Sequence, residues 1–402
     1  MKSGAGGIGG CFPQARGRPP RNGKAPSPTF MKTPPAFPTP SVPDLPRRSF
    51  LRAGLAAAAG SALARSSAAP ATPAGFSFFV VSDTHFTALE TAPETLEPEV
   101  LAVNTRLVEL LNRLPGTALP ESMGGGKVAE PRGVLHLGDM IDSGDKGDSA
   151  LSVRRQETEW KAYKEHFGLS GRDGKLRFPL YEVHGNHDSV SRTNGVIADL
   201  MERNKKRPGI GSVSESGLHY SWDWEGVHFI ALGIVVGHND RDLPKGRYKA
   251  YDSLQFLKKD LATQVGDSGR PVIILHHIDL LRYSKPCGPE SERNGEWSAC
   301  DVAAYHEALR GYQIAAVFHG HLHALRTDRW DGTEKSAKEG GIPVFGSRAS
   351  AARGVNRGLF HCSVEGAELV IRELTCLKKE EGWLPGDAVW TNQWKVPLRR
   401  GA

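Results

Sequence analysis

Cysteine is scarce in this 402-residue chain, five residues with no C-x-x-C spacing, which argues against a thiolate metal site. Cys11 falls in the amino-terminal leader. For Cys287, Cys300, Cys362 and Cys376 both disulfides and buried thiols are open. No segment approaches the roughly 18 consecutive apolar residues of a membrane helix, so no stable membrane insertion is expected once the leader is removed. No internal repeat is visible, and no low-complexity linker after the leader marks a second domain. A basic body is missing too. The formal charge of +6 comes from residues 1–64, whose nine Lys and Arg face a single acid, Asp44. The remainder carries 42 basic and 44 acidic side chains, so no nucleic-acid partner is indicated.

What is present divides into three parts. Residues 1–69 read as a basic leader: a Gly-, Pro-, Arg- and Ser-rich stretch too polar to fold, then Arg47-Arg48-Ser49-Phe50-Leu51-Arg52 and an Ala-rich run from Ala53 to Ala64. The pair and the weakly apolar run resemble a twin-arginine export signal, with Ala62-Leu63-Ala64 or Ser67-Ala68-Ala69 as cleavage site. That implies the export machinery as a partner of the precursor, and a periplasmic or extracellular mature protein. Residues 70–376 form the expected catalytic domain, and 377–402 a Trp-containing tail.

The domain alternates apolar strands with amphipathic helices, the pattern of an α/β fold. Strands are expected at 76–81, 134–137, 179–183, 272–275, 314–318 and 343–345, and hairpins at 219–232 and 359–374. Helices are expected at 98–114, 153–167, 253–261 and 301–310; in the first, Val100, Val103, Leu107, Leu110, Leu111 and Leu114 recur at helical spacing. Five of the strands run straight into clusters of Asp, Asn and His: Asp83-x-His85, Gly138-Asp139-x-x-Asp142, Gly185-Asn186-His187-Asp188, His276-His277 and Gly320-His321-x-His323. Strand ends in an α/β sheet share one rim, where ligands bind. Carboxylate, amide oxygen and imidazole together suit divalent Mn, Fe, Zn or Co. Two such cations about 3.5 to 4 Å apart clamp a phosphate.

In this order the five clusters resemble the calcineurin-like metallophosphoesterases, whose signature is D-x-H, G-D-x-x-D, G-N-H-[DE], H and G-H-x-H, across residues 76 to 374. The resemblance implies a four-layer αββα sandwich and two divalent metal ions. It implies Asp83, His85 and His323 as ligands of the first metal, Asn186, His276 and His321 of the second, and Asp139 as the bridge. His276 is preferred to His277 as the first residue after its strand. His187 would contact the substrate phosphate or leaving oxygen, with Asp188 holding its imidazole, while Asp142 and His319 would support the ligands. The implied reaction is attack of a bridging hydroxide on the phosphorus of a phosphate ester, a small-molecule or a lipid or sugar phosphate. A monoester is slightly preferred to a diester, and an inactive metal-containing binding protein is the remaining alternative.

Departures from individual branches narrow the resemblance. Purple acid phosphatases place a Tyr ligand three residues after the bridging Asp and lack the D-x-H histidine, where this chain has Asp142 and His85. Ser/Thr protein phosphatases read G-D-x-V-D-R-G and G-N-H-E, where Ser143 and Asp188 stand here. Residues 119–131, 192–207, 238–251 and 285–299 are the candidate pocket walls. They and their surroundings carry Arg192, Arg203, Arg241, Arg247 and Arg282 as possible phosphate seats, and Trp297, Tyr248 and Tyr251 as possible ring stackers.

Overall fold

The computed structural model describes residues 75–189, 194–239, 243–288, 291, 295–377 and 382–398. Arg47, Arg48, Arg192 and Arg241 lie outside these. In chain order the elements are β1 (Phe76–Val81), α1 (Pro98–Arg113), β2 (Pro131–His136), α2 (Ala150–Phe167), β3 (Leu180–Glu182), α3 (Gly195–Lys206), β4 (Ile210–Val213), β5 (Tyr220–Trp224) and β6 (Val227–Ala231). There follow α4 (Ser253–Asp260), β7 (Val272–Leu275), α5 (Ala299–Leu309), β8 (Ile314–His319), β9 (Arg326–Trp330), β10 (Ile342–Gly346), β11 (Arg357–Glu365), β12 (Glu368–Cys376) and β13 (Ala388–Pro397).

The strands form two sheets, one in the order β13-β12-β11-β1-β2-β3 and one in the order β4-β5-β6-β7-β8-β10-β9. β1, β2 and β3 are mutually parallel, as are β6, β7, β8 and β10. The pleat sends alternate side chains to opposite faces, and both faces are covered. Phe78 and Val80 of β1 meet Ile273 and Leu275 of β7 and Phe318 of β8 between the sheets. Phe79 and Val81 turn outward, onto Leu107 and Leu111 of α1 and Tyr163 and Phe167 of α2. On the far side Val272 and Ile274 pack with Leu257 of α4 and Val302 and Tyr305 of α5. The layers are therefore helix, sheet, sheet, helix, and each buried Leu or Phe contributes about 1.5 to 3 kcal/mol.

Helix starts follow local chemistry. Pro98 opens α1, where its missing N–H costs nothing. Ser149 caps α2 by accepting from the Ser152 N–H, and Asn194 caps α3 by accepting from the Ile197 N–H.

Three expectations are corrected here. The expected tail is part of the domain, because β13 pairs antiparallel with β12 along its length and Trp383 is buried in the core. The 192–207 stretch, read as a pocket wall, holds α3; Arg203 points inward and its Nε donates to Glu182 Oε1 at 2.9 Å. Strands β4 and β9 were not anticipated, being short and made mostly of exposed or partly exposed residues. Cys287 and Cys300 form a disulfide, whereas Cys362 and Cys376 are buried free thiols.

Candidate metal centre

The loops after β1, β2, β3, β7 and β8 meet on one rim and are tied to one another by backbone hydrogen bonds. Asp83 N–H donates to Gly138 O at 3.0 Å, His85 N–H to Asp139 O at 3.1 Å, and Gly320 N–H to His277 O at 3.0 Å. Asp83, His85, Asp139, His321 and His323 all have positive φ, between 43° and 69°. That conformation costs a non-glycine residue about 1 to 3 kcal/mol and persists where the surroundings over-determine it. Two glycines permit the crowding: a Cβ on Gly185 would lie 2.2 Å from Asp139 Oδ1, and one on Gly320 would lie 2.6 Å from Asp83 Oδ2.

Two donor groups share Asp139. Asp83, His85, Asp139 and His323 form one, and Asp139, His277 and His321 the other. His85 Nε2 faces His323 Nε2 at 3.1 Å, and His323 Nε2 stands 3.2 Å from Asp83 Oδ1. On the other side His277 Nε2 lies 3.1 Å from both Asp139 Oδ2 and Asn186 Oδ1. Bonds of about 2.1 Å at right angles place neighbouring ligand atoms about 3 Å apart, so these spacings fit the edges of a coordination polyhedron. Facing imidazole nitrogens and buried carboxylates are also what a cation requires, and the donor set fits a divalent metal.

Electrostatics favour the ionised, ligating form of the two carboxylates. Burial works to raise the Asp83 carboxyl, but the hydrogen bond and charge of His323 hold it at about 2. Burial opposes ionisation of Asp139 too, and His277 outweighs it, keeping that carboxyl well below the usual range.

His277, not His276, occupies the place expected for the ligand after β7. The pleat explains it: Ile273 and Leu275 face the other sheet and His277 continues that series, while Val272, Ile274 and His276 face the helices. His276 is fully buried, 5.2 Å from the Trp297 ring and 5.8 Å from that of Tyr305. His277 Nδ1 donates to Leu137 O at 2.7 Å, which leaves Nε2, on the Asp139 side, as the nitrogen that a cation would take in exchange for its proton.

Asp188 does not hold His187. Its Oδ1 accepts from the Met140 and Ile141 N–H groups at 2.9 and 3.0 Å, and its Oδ2 from Gly185 N–H at 2.7 Å. These three bonds turn the carboxylate inward, away from the imidazole, where it clamps the loop after β2 to the loop after β3. His187 Nδ1 lies instead 3.1 Å from Asp142 O. The His187 ring is partly exposed, 4.9 Å from that of His85, and makes a third group with His85 and Asp142. Asp142 Oδ1 approaches His85 Nδ1 at 3.4 Å. His319 is buried, stacked parallel to His276 at 6.3 Å.

A cavity of about 220 Å³ opens beside His85, Asp142, His187 and His323, walled by Val100, Ala351, Ala352 and Arg353. A larger hollow of about 510 Å³ lies by α2 and α3, but no histidine lines it. Arg353, ion-paired with Glu97, went unmarked because no strand-end pattern surrounds it. Glu296 was also missed: it stands 3.3 Å from His321 Nε2 on an irregular insert without periodicity. Trp297, Tyr248 and Tyr251 are buried packing residues, not ring stackers. Arg247 lies over the Tyr248 ring, and Arg282 pairs with Asp279 and Glu296.

A sequence profile of the calcineurin-like phosphoesterases matches residues 76–325. The chain is 27% identical over 150 residues to Purple acid phosphatase 23 and 26% over 148 residues to Purple acid phosphatase 15, both of Arabidopsis thaliana. Each stretch covers 37% of this chain, but only 29% and 25% of those proteins. Among solved structures, PhoD is similar with a TM-score of 0.45 and 12% identity, over 82% of this chain and 71% of that one. GAP50, the anchor in the inner membrane complex of Plasmodium, gives 0.43 and 11%, over 81% and 90%. With the profile spanning more than half of its length, the chain belongs to the calcineurin-like phosphoesterase family, a family of metal-dependent phosphoesterases.

Proposed function

We propose that the protein hydrolyses phosphate monoesters at a centre of two divalent cations, Mn, Fe, Zn or Co. The observation that carries the proposal is Asp139, buried between two donor groups that both need it. Asp83, His85 and His323 would hold one cation, and Asn186, His277 and His321 the other. When bound, the pair would polarise the phosphoryl group and lower the pKa of the attacking water.

The chain's own groups do the rest. His187, whose basicity Asp139 and the Asp142 carbonyl raise against the opposing effect of burial, stands at the cavity ready to donate a proton to the departing oxygen. Val100, Ala351 and Ala352 give one side of the cavity an apolar wall opposite these polar groups. The small cavity suits a monoester, and the relatives named acid phosphatases point the same way.

Purified protein, stripped with chelator and reloaded with Mn²⁺, is to be assayed with para-nitrophenyl phosphate and with bis(para-nitrophenyl) phosphate. Faster turnover of the monoester is expected. Preference for the diester would move the protein to the diesterases of the family, and no turnover of either by loaded protein would favour a binding role. Export by the twin-arginine route, supported by Arg47-Arg48, is part of the same reading. Among the described residues no helix is long and apolar enough to cross a membrane.

A further inference from the structure

The insert between β7 and α5 returns one carboxylate to the metal centre. Several restraints hold the returning segment: the Cys287–Cys300 disulfide, the Arg247 N–H to Gly295 O bond of 2.5 Å, and the buried Trp297, whose Nε1 donates to Val236 O at 2.9 Å. Gly246 lets the backbones touch, since a Cβ there would stand 2.8 Å from Glu296 O. The Glu296 carboxylate so delivered gathers donors. Arg282 donates to Oε2 at 2.6 Å, Tyr283 Oη also donates to Oε2, and Tyr248 Oη lies 3.4 Å from Oε1. The remaining neighbour of Oε1 is His321 Nε2, at 3.3 Å.

We propose that Glu296 is a positioning residue: it holds the His321 imidazole in the tautomer and orientation that a cation beside Asp139 and His277 requires. This rests on the two-cation reading above. An ionised carboxylate only accepts hydrogen bonds, so Nε2 of His321 carries the proton and Nδ1 keeps its lone pair for the cation. Carboxylate partners of this kind orient a ligating imidazole and raise its basicity, and removing one typically costs about 10- to 100-fold in metal affinity. Arg282, Tyr283 and Tyr248 then have one purpose together, to keep Glu296 charged and in place. His277 is served by the Leu137 carbonyl in the same way, so both imidazoles of this donor group are oriented from behind.

The test is a Co²⁺ titration of metal-stripped full chain, followed by visible absorption and elemental analysis, for wild type, Glu296→Gln and Glu296→Ala. Two Co²⁺ ions are expected in wild type. Glu296→Ala should weaken one of them by about 10- to 100-fold and shift its absorption band, with the other ion and the Tm of the stripped protein unchanged. Glu296→Gln, which keeps a carbonyl acceptor and the packing, should lose about 10-fold or less. Wild-type affinities and spectra in both variants would overturn the assignment, as would equal weakening of both ions together with a lowered Tm. Wild type that binds fewer than two Co²⁺ ions would instead overturn the two-cation reading beneath it.

Discussion

His277 Nε2 lies 3.1 Å from Asp139 Oδ2, while the preceding residue of the same strand exit, His276, is sealed among aromatic rings. One position along the chain separates a ligand candidate from a core residue. His277→Ala should therefore lower metal affinity by at least about 100-fold, more than the loss of an orienting partner alone. His276→Phe should bind metal normally and change stability by about 1 to 3 kcal/mol. Calorimetry of Mn²⁺ binding with parallel thermal melts checks both, and the reverse ranking would return His276 to the ligand set.

His187 and Asp139 are joined through the backbone, since His187 N–H donates to Asp139 Oδ1 at 2.8 Å. That bond survives His187→Ala, so metal content should stay near normal while turnover falls by about 10² to 10⁴. The loss should be largest for alkyl phosphates and smaller for para-nitrophenyl phosphate, whose leaving oxygen needs little help. Equal losses for both would mean that the imidazole seats phosphate without assisting departure. Loss of a cation would place it among the ligands with His85 and Asp142.

Glu182, the last residue of β3, anchors a buried charge cluster, accepting from Arg203 Nε at 2.9 Å and from Arg207 at 2.7 Å. Burial pushes its carboxyl up, but Arg207 and Arg203 outweigh burial and hold it at about 2, below its ordinary 4.5. A depressed carboxyl contributes stability that is complete above the unfolded value and is lost as pH falls through the folded one. Glu182→Gln should cost about 3 to 5 kcal/mol at pH 7, because two guanidinium groups lose their countercharge. In urea denaturation that gap should narrow by about 2 kcal/mol between pH 4.5 and pH 3. A gap independent of pH would show that the carboxyl is not held low.

Export is tested in the cell. Changing Arg47 and Arg48 together to Lys should leave the precursor in the cytoplasm, read by fractionation and immunoblot. Normal amounts of the doubly changed protein in the periplasm would refute the twin-arginine assignment.

Most of the donor cluster could be read directly from the chain. Five apolar strands each ending in Asp, Asn or His place those groups on one rim whatever the details of packing, because strand ends in such sheets converge. Asp83, His85, Asp139, Asn186, His321 and His323 were legible for that reason, and so was α1 from its apolar spacing. The choice between His276 and His277 was not, since Val272-Ile273-Ile274-Leu275 is apolar on both faces and gives no sign of which face meets the other sheet. Pairing of β7 with β6 and β8 set that. The family resemblance implied Asp188 as an imidazole partner, yet three N–H groups from two loops, brought together only in the folded chain, claim its oxygens. β13 was obscured because its half-exposed residues carry little alternation, and it became a strand by pairing with β12. Glu296 lies on a loop 25 residues from His321, where periodicity carries no information, and a disulfide with one buried tryptophan brings it there. The sequence determined which donor chemistry is present and at which strand ends, because that depends on residue type and local pattern; the tertiary structure decided which atoms turn toward one another in the donor cluster, because orientation depends on sheet pairing and on contacts between distant loops.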